Sequence, residues 1–210
     1  MRVLGVDPGL GRCGWAVLEG RGGRVAAAGY GTISTAGEQV APRLADLAAR
    51  LRQVLDSHRP EALAIERLFF NANVRTAMTV GQASGVVLLL AAERGLPVSS
   101  YTPPQVKQAV TGSGGAPKEQ VGYMVKALLG LAAVPTPADT ADALAVALCH
   151  LNHAGLTGGV RGGRAGPTDG GGPATGPGAA LGAASAADWL ARAAPTSPGL
   201  RTSPAREAGR

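Results

Sequence analysis

Four carboxylates stand where they could do chemistry together. Asp7 ends an apolar run over residues 3–6 and is followed by Pro8-Gly9 and a further glycine, Gly11. Glu66 ends a second apolar run, residues 62–65. Asp139 and Asp142 lie three residues apart in "PADTADALAVAL", a spacing that puts both on one helical face. A charge at the end of a buried strand is costly without a partner, so something positive is expected against Asp7. Hard divalent cations take such oxygen ligands, and Mg²⁺ needs few of them because it keeps its waters. Two ions held by shared carboxylates can activate a water and stabilise the leaving oxygen of a phosphodiester. A local alternative exists for the last two acids: Asp139 as a helix N-cap and Asp142 as a first-turn acid favoured by the helix dipole. Acids offered by three separate segments favour the shared role.

These acids need elements to position them. Apolar runs over residues 3–6, 13–18 and 25–33, joined by short glycine-bearing turns, predict antiparallel hairpin strands. Leu44, Leu47, Leu51, Val54 and Leu55 recur at helical spacing and predict a helix over 40–57. Residues 62–65 predict a strand, 73–94 a long helix stopped by Gly95, and 98–101 a fifth strand. A short helix is expected from Pro103, and others over 118–129 and 140–153. Three antiparallel strands followed by alternating helices and strands imply a mixed α/β sheet. Asp7 and Glu66 meet at one sheet edge only if their strands are neighbours.

The chain has 210 residues, and its composition breaks near Gly155. Residues 155–210 hold 14 Gly and 6 Pro in 56 residues, above the roughly 25–30% that marks low-complexity sequence. The reading is therefore a globular domain over 1–154 and a disordered Gly/Pro/Ala-rich tail over 155–210. Six arginines against Asp169, Asp188 and Glu207 give the tail half of the net charge of +6. A basic balance suits a polyanionic partner, weakly at this magnitude. Cys13 and Cys149 form no metal-binding spacing, which with the absence of a leader pattern points to a reduced, cytoplasmic chain. The longest apolar run, residues 86–92, is far below the ~20 residues of a membrane span, so no membrane role is expected.

A strand, an acid and a glycine turn also open sugar-kinase and actin-like nucleotide-binding folds, but no second glycine-rich phosphate loop appears. "LGVDPGLGRCGWAV", "AIERLFFNAN", "VGQASGV", "PPQVKQAVTGSG" and "DTADALAVALCH" occur in that order. Together they resemble the RuvC family of bacterial Holliday-junction resolvases over nearly all of residues 1–154. The resemblance implies a ribonuclease H-like mixed five-stranded sheet flanked by helices. It implies a structure-selective endonuclease that resolves four-way DNA junctions by paired, symmetric, Mg²⁺-dependent cuts, leaving 5′-phosphate and 3′-hydroxyl ends. Asp7, Glu66, Asp139 and Asp142 fall on the family's catalytic, metal-binding acids; in some members the position of Asp139 is histidine. Two Mg²⁺ per site are implied, with Mn²⁺ able to substitute. A homodimer and cooperation with the RuvA–RuvB branch-migration motor are also implied. The rivals are a related nuclease acting on RNA/DNA hybrids or flaps, a noncatalytic DNA-binding module, and a small actin-like nucleotide-binding protein.

Other residues carry two readings each. Phe69 matches the family's base-stacking residue, and Phe70 is read as core. Lys107 and Lys118 match basic positions that would neutralise DNA phosphates, with Arg75 a weaker DNA contact; all three could instead be solvated surface charges. Ala77, Gly81 and Gly85, spaced by four, allow close approach of another backbone, either inside the domain or across a dimer interface. The histidines form no ligand set: His150 lies eleven residues beyond Asp139, roughly 16 Å along a helix. "SAADWLARAA" in the tail could form a short partner-binding helix or remain part of a disordered arm.

Overall fold

The computed structural model describes residues 1–67 and 74–155, without the side chains of Val74 and Arg75. Phe69, Phe70, the Arg75 side chain and everything beyond residue 155 lie outside the described residues. The elements run β1 (Arg2–Asp7), β2 (Arg12–Arg21), β3 (Arg24–Ser34), α1 (Val40–His58), β4 (Ala62–Glu66), α2 (Val74–Glu93), β5 (Val98–Tyr101), α3 (Pro103–Thr111), α4 (Lys118–Leu129) and α5 (Ala138–His153). They form one five-stranded sheet in the order β3-β2-β1-β4-β5. β1, β2 and β3 are antiparallel, while β4 is parallel to β1 and β5 to β4. The β2–β3 turn is closed by Gly22 and Gly23 at φ 58° and 78°, a left-handed pair that matches strand twist in a tight hairpin. The parallel strands need long crossovers, which α1 and α2 supply.

Side-chain alternation divides the core between the two sheet faces. Leu4, Val6, Cys13, Val17, Leu63 and Ile65 face α1 and α2, where Leu47, Leu51, Leu55, Val87 and Leu90 are buried. Val3, Ala16, Leu18, Ala62, Ala64 and Tyr101 face α3, α4 and α5. α5 is the central helix of that layer, buried from Thr140 to Ala141 and again from Ala143 to Cys149. It reaches the sheet closely because Gly5 lacks a side chain: a Cβ there would stand 2.7 Å from the Ala147 nitrogen. α3 begins on a capping box, with Thr102 and Gln105 bonding each other's backbone N–H, so the turn into the helix is set locally.

The small-residue stripe of α2 is not an internal contact along its length. The buried residues of this helix are Ala83, Ser84, Val87, Leu90 and Ala91, whereas Gly85 is exposed and a Cβ on it would meet nothing within 4 Å. Around it Met78, Leu88 and Leu89 are exposed by 61%, 43% and 57%. Residues Thr76–Glu93 are long and apolar enough, by length and composition alone, to cross a membrane, yet they include the buried core residues Ala83, Val87 and Leu90. The apolar excess of α2 therefore comes from two faces, one packed on the sheet side and one uncovered.

Candidate active site

β1 and β4 are neighbours, so the condition set by the sequence is met. Val6 pairs with Ile65 in the parallel register, and the next residues, Asp7 and Glu66, follow side by side. Alternation from Val3 and Gly5, and from Ala62 and Ala64, turns both carboxylates toward the α5 face. They are close enough that the charge of Glu66 raises the Asp7 carboxyl. On the other side of Asp7, β2 presents Gly14 directly opposite, and the backbone of Asp139 packs over that glycine. Thr32 on β3 and Thr140 on α5 share a hydrogen bond of 2.8 Å between their hydroxyls, which fixes the start of α5 over the sheet.

The N-cap reading of Asp139 does not hold. Pro137 occupies the N-cap and no side chain caps the helix. Asp139 is the second helical residue and Asp142 lies a turn further in, each directed to a basic group instead. Arg12 Nε stands 3.1 Å from Asp139 Oδ2, and Lys118 Nζ stands 2.6 Å from Asp142 Oδ2. Lys118 opens α4, where a positive charge works against the helix dipole. Burial pulls its ammonium down, but the hydrogen bond and charge of Asp142, with Asp7 and Asp139 behind it, leave it raised above the ordinary lysine value.

Charge in the site is unbalanced at the strand ends. Burial, then the neighbouring charges of Glu66, Asp142 and Asp139, push the Asp7 carboxyl from 3.8 to about 7. Glu66 is raised as well, by burial and then by Asp142, against the opposing pull of Lys118 and Lys107. Lys107 joins Glu66, Lys118 and Asp142 in lining a cleft of about 190 Å³, floored by Val106, Val121 and Ala145. A larger cavity of about 450 Å³ is lined by Leu55, Pro60 and Leu96, near the opposite ends of β4 and β5. Its acid, Asp56, is paired with Arg94 at 2.7 Å, and none of the four acids singled out in the sequence lines it.

The donors suit a hard divalent cation. All four are carboxylates. Asp139 Oδ2 is buried without a hydrogen bond, because the nearby Arg12 nitrogen is close in charge but not aligned to donate. Burial and the neighbouring carboxylates push the Asp7 carboxyl up to about 7, an accumulation of negative charge that a bound divalent cation would offset. Among the described residues no three His, Cys, Asp or Glu side chains are yet gathered around one ion position. Arg12 and Lys118 hold the two α5 acids, leaving Asp7 and Glu66 to each other.

Supporting groups come from positions that no motif marks. Arg12 lies five residues after Asp7 across the glycine turn, and only the folded pairing of β2 with α5 shows its partner. That turn is tied down by the Thr35 amide, which donates to the Gly11 carbonyl at 3.2 Å, and by the Thr35 hydroxyl on the Leu10 carbonyl. Arg43 Nε in turn donates to Thr35 Oγ1 at 3.1 Å. Cys13 lies below the acids, its thiol pushed up to about 12 chiefly by burial, and is unreactive there. As expected, the histidines stand apart: His150 Nδ1 bonds the Tyr101 hydroxyl at 2.9 Å, and His58 packs on Trp15 with ring centres 5.6 Å apart.

The mixed sheet of this order, with helices on both faces, is the ribonuclease H-like fold shared with the resolvases. Residues 3–150 match the family model described as crossover junction endodeoxyribonuclease RuvC. The chain is 58% identical over 153 residues to the protein of that name from Frankia alni, covering 72% of this chain and 78% of that one. It superposes on the Thermus thermophilus RuvC structure with a TM-score of 0.68 at 40% identity, covering 74% of this chain and 98% of the other. A T. thermophilus RuvC structure in complex with Holliday junction substrate gives the same TM-score at 38% identity, with 75% and 98% covered. The chain belongs to the RuvC family of crossover junction endodeoxyribonucleases. It is a DNA endonuclease of Holliday-junction resolution that depends on a divalent metal.

Proposed function

We propose that this protein resolves four-way junctions by paired, symmetric phosphodiester hydrolysis in recombination and repair, with Asp7, Glu66, Asp139 and Asp142 as its catalytic acids. The observation that carries this reading is the placement of Asp7 and Glu66 on adjacent strand ends, facing two more acids on α5. These four residues would hold Mg²⁺, two ions per site, with Mn²⁺ able to substitute. When bound, the metal supplies an activated water and a counter-charge for the leaving oxygen. Lys107 and Lys118, which line the same cleft, neutralise strand phosphates and hold the scissile bond against the acids. The reading is tested by single-turnover cleavage of matched junction, RNA/DNA-hybrid and flap substrates, with and without Mg²⁺. Junction cutting that needs the metal supports it. Preferential hybrid or flap cutting overturns the substrate, and binding without cutting overturns the enzyme.

A homodimer fits this activity because two-fold symmetry matches two symmetric cuts. The uncovered face of α2, with Met78, Gly85, Leu88 and Leu89, is the interface we assign to it. Leu89→Glu is expected to shift sedimentation from dimer to monomer and to uncouple the two cuts, while leaving the fold intact because Leu89 is 57% exposed. A variant that stays dimeric would move the interface elsewhere.

Phe69 is the base-stacking residue of the proposal, and Arg75 a further DNA contact. Stacking returns roughly 1–3 kcal/mol per base, about one to two powers of ten in rate if realised only during cutting. Phe69→Ala should slow single-turnover cleavage by that much and change junction affinity less. Phe69→Trp should retain the rate and Phe69→Leu should not. A Leu variant that cuts normally, with an Ala variant that melts early, would assign Phe69 to packing instead. Residues 155–210 are proposed to be dispensable for cleavage, adding only nonspecific DNA affinity through their arginines. Cytoplasmic action alongside the RuvA–RuvB motor completes the proposal.

A further inference from the structure

Arg12 has a role that the acids alone do not explain. Its side chain is 62% exposed, yet its Nε sits 3.1 Å from Asp139 Oδ2. That oxygen is buried and receives no hydrogen bond, so the pair is held by charge without aligned donation. Such contacts are weaker than charge-assisted hydrogen bonds and easily exchanged. The glycine turn that carries Arg12 is anchored through Thr35 and Arg43, which fixes the backbone from which the side chain reaches Asp139. The other acid of α5 has a closer partner, Lys118 standing 2.6 Å from Asp142. Asp7 and Glu66 have no cation this close among the ion pairs of the described residues.

We propose that Arg12 is a positioning residue that acts as the exchangeable counter-ion of Asp139: it holds that carboxylate in the metal-free enzyme, yields it to a divalent cation, and passes to a DNA phosphate. This rests on the reading of Asp139 as a metal ligand. Arg12 and the metal compete for one carboxylate, while Asp139 and the DNA compete for one guanidinium. Metal and DNA binding are therefore coupled through Arg12, and the coupling is reciprocal. Arg12 sets how readily the site takes metal before DNA arrives and adds a phosphate contact once it is released.

The test uses the full-length protein and two readouts other than cleavage. The first is Mn²⁺ affinity of the DNA-free protein, followed by the electron paramagnetic resonance of free Mn²⁺. Arg12→Gln should bind Mn²⁺ about two- to fivefold more tightly, the scale of a half-exposed ion pair. The second is junction affinity in EDTA across a salt series. Arg12→Gln should lower the slope of log affinity against log salt by about 0.9, one phosphate contact. Asp139→Asn should strengthen that binding in the presence of Arg12 and not in the Arg12→Gln background. Unchanged Mn²⁺ affinity in Arg12→Gln, with weakened Mn²⁺ binding in Asp139→Asn, overturns the exchange while sparing the ligand. Unchanged Mn²⁺ affinity in Asp139→Asn overturns the ligand reading and the exchange with it. A thermal melt of Arg12→Gln like that of the wild type excludes a folding defect as the source of either result.

Discussion

Asp7→Asn should abolish junction cleavage and, in the absence of metal, make the protein more stable at pH 8. Both effects come from one negative charge. Cleavage is lost because asparagine offers no charge to a divalent cation in a site whose donors are all carboxylates. Stability is gained because the folded state holds Asp7 at about 7, against 3.8 for an ordinary aspartate. Below pH ~4 the carboxyl is protonated in both states and the fold is not penalised. As pH rises the unfolded chain releases its proton first, so the metal-free fold loses stability progressively until the pH passes about 7. The full penalty above that pH reaches up to about 4 kcal/mol. Asn removes most of this slope; Glu66, which is raised in the same sense, keeps a remainder. Divalent metal should offset the same penalty in the wild type by binding only the folded site. The checks are melting temperature in EDTA from pH 5 to 8 and single-turnover cleavage with saturating Mg²⁺. A variant that cuts near the wild-type rate, or melts earlier than wild type at pH 8, would remove Asp7 from the proposed role.

The backbone of the site was legible because each acid ends or opens an element with a strong pattern. The apolar runs before Asp7 and Glu66 and the helical spacing around Asp142 place those elements within a residue or two of where they form. What periodicity does not contain is pairing: nothing local to residues 62–66 says that β4 lies beside β1 rather than at an edge. The partners of the α5 acids were hidden for the same reason. Sequence alone offers Lys118 as a phosphate contact or a solvated charge and gives Arg12 no role; their partners on α5 emerge only once β2 and α4 are folded against it, and the N-cap reading of Asp139 is the best local account. The α2 stripe shows a related limit. Spacing by four identifies a face, but only the register of the buried residues Ala83, Val87 and Leu90 tells which way that face turns.

Gly14→Ala is expected to have the second large effect, although it touches no charge. Gly14 pairs with Asp7 across β1 and β2. A Cβ on it would fall inside the Asp139 carbonyl and 2.6 Å from the carbonyl carbon, with the Ala143 methyl at 3.3 Å. These are backbone atoms and a buried methyl, so no flexible side chain can swing aside. The start of α5 must lift from the sheet, against the Thr32–Thr140 bond and the close approach at Gly5. Overpacking of this kind costs about 1–3 kcal/mol or more. It also displaces Asp139 and Asp142 relative to Asp7 and Glu66, and misplacement by 1 Å can cost about a hundredfold in rate. Cleavage should therefore fall by about that factor even where most of the protein is folded, and Mn²⁺ binding should weaken in parallel. Gly115→Ala is the control: a Cβ there meets nothing within 4 Å, and neither melting nor cutting should change. A Gly14→Ala protein that melts and cuts like the wild type would mean that the contact between β2 and α5 does not set the distance between the two pairs of acids.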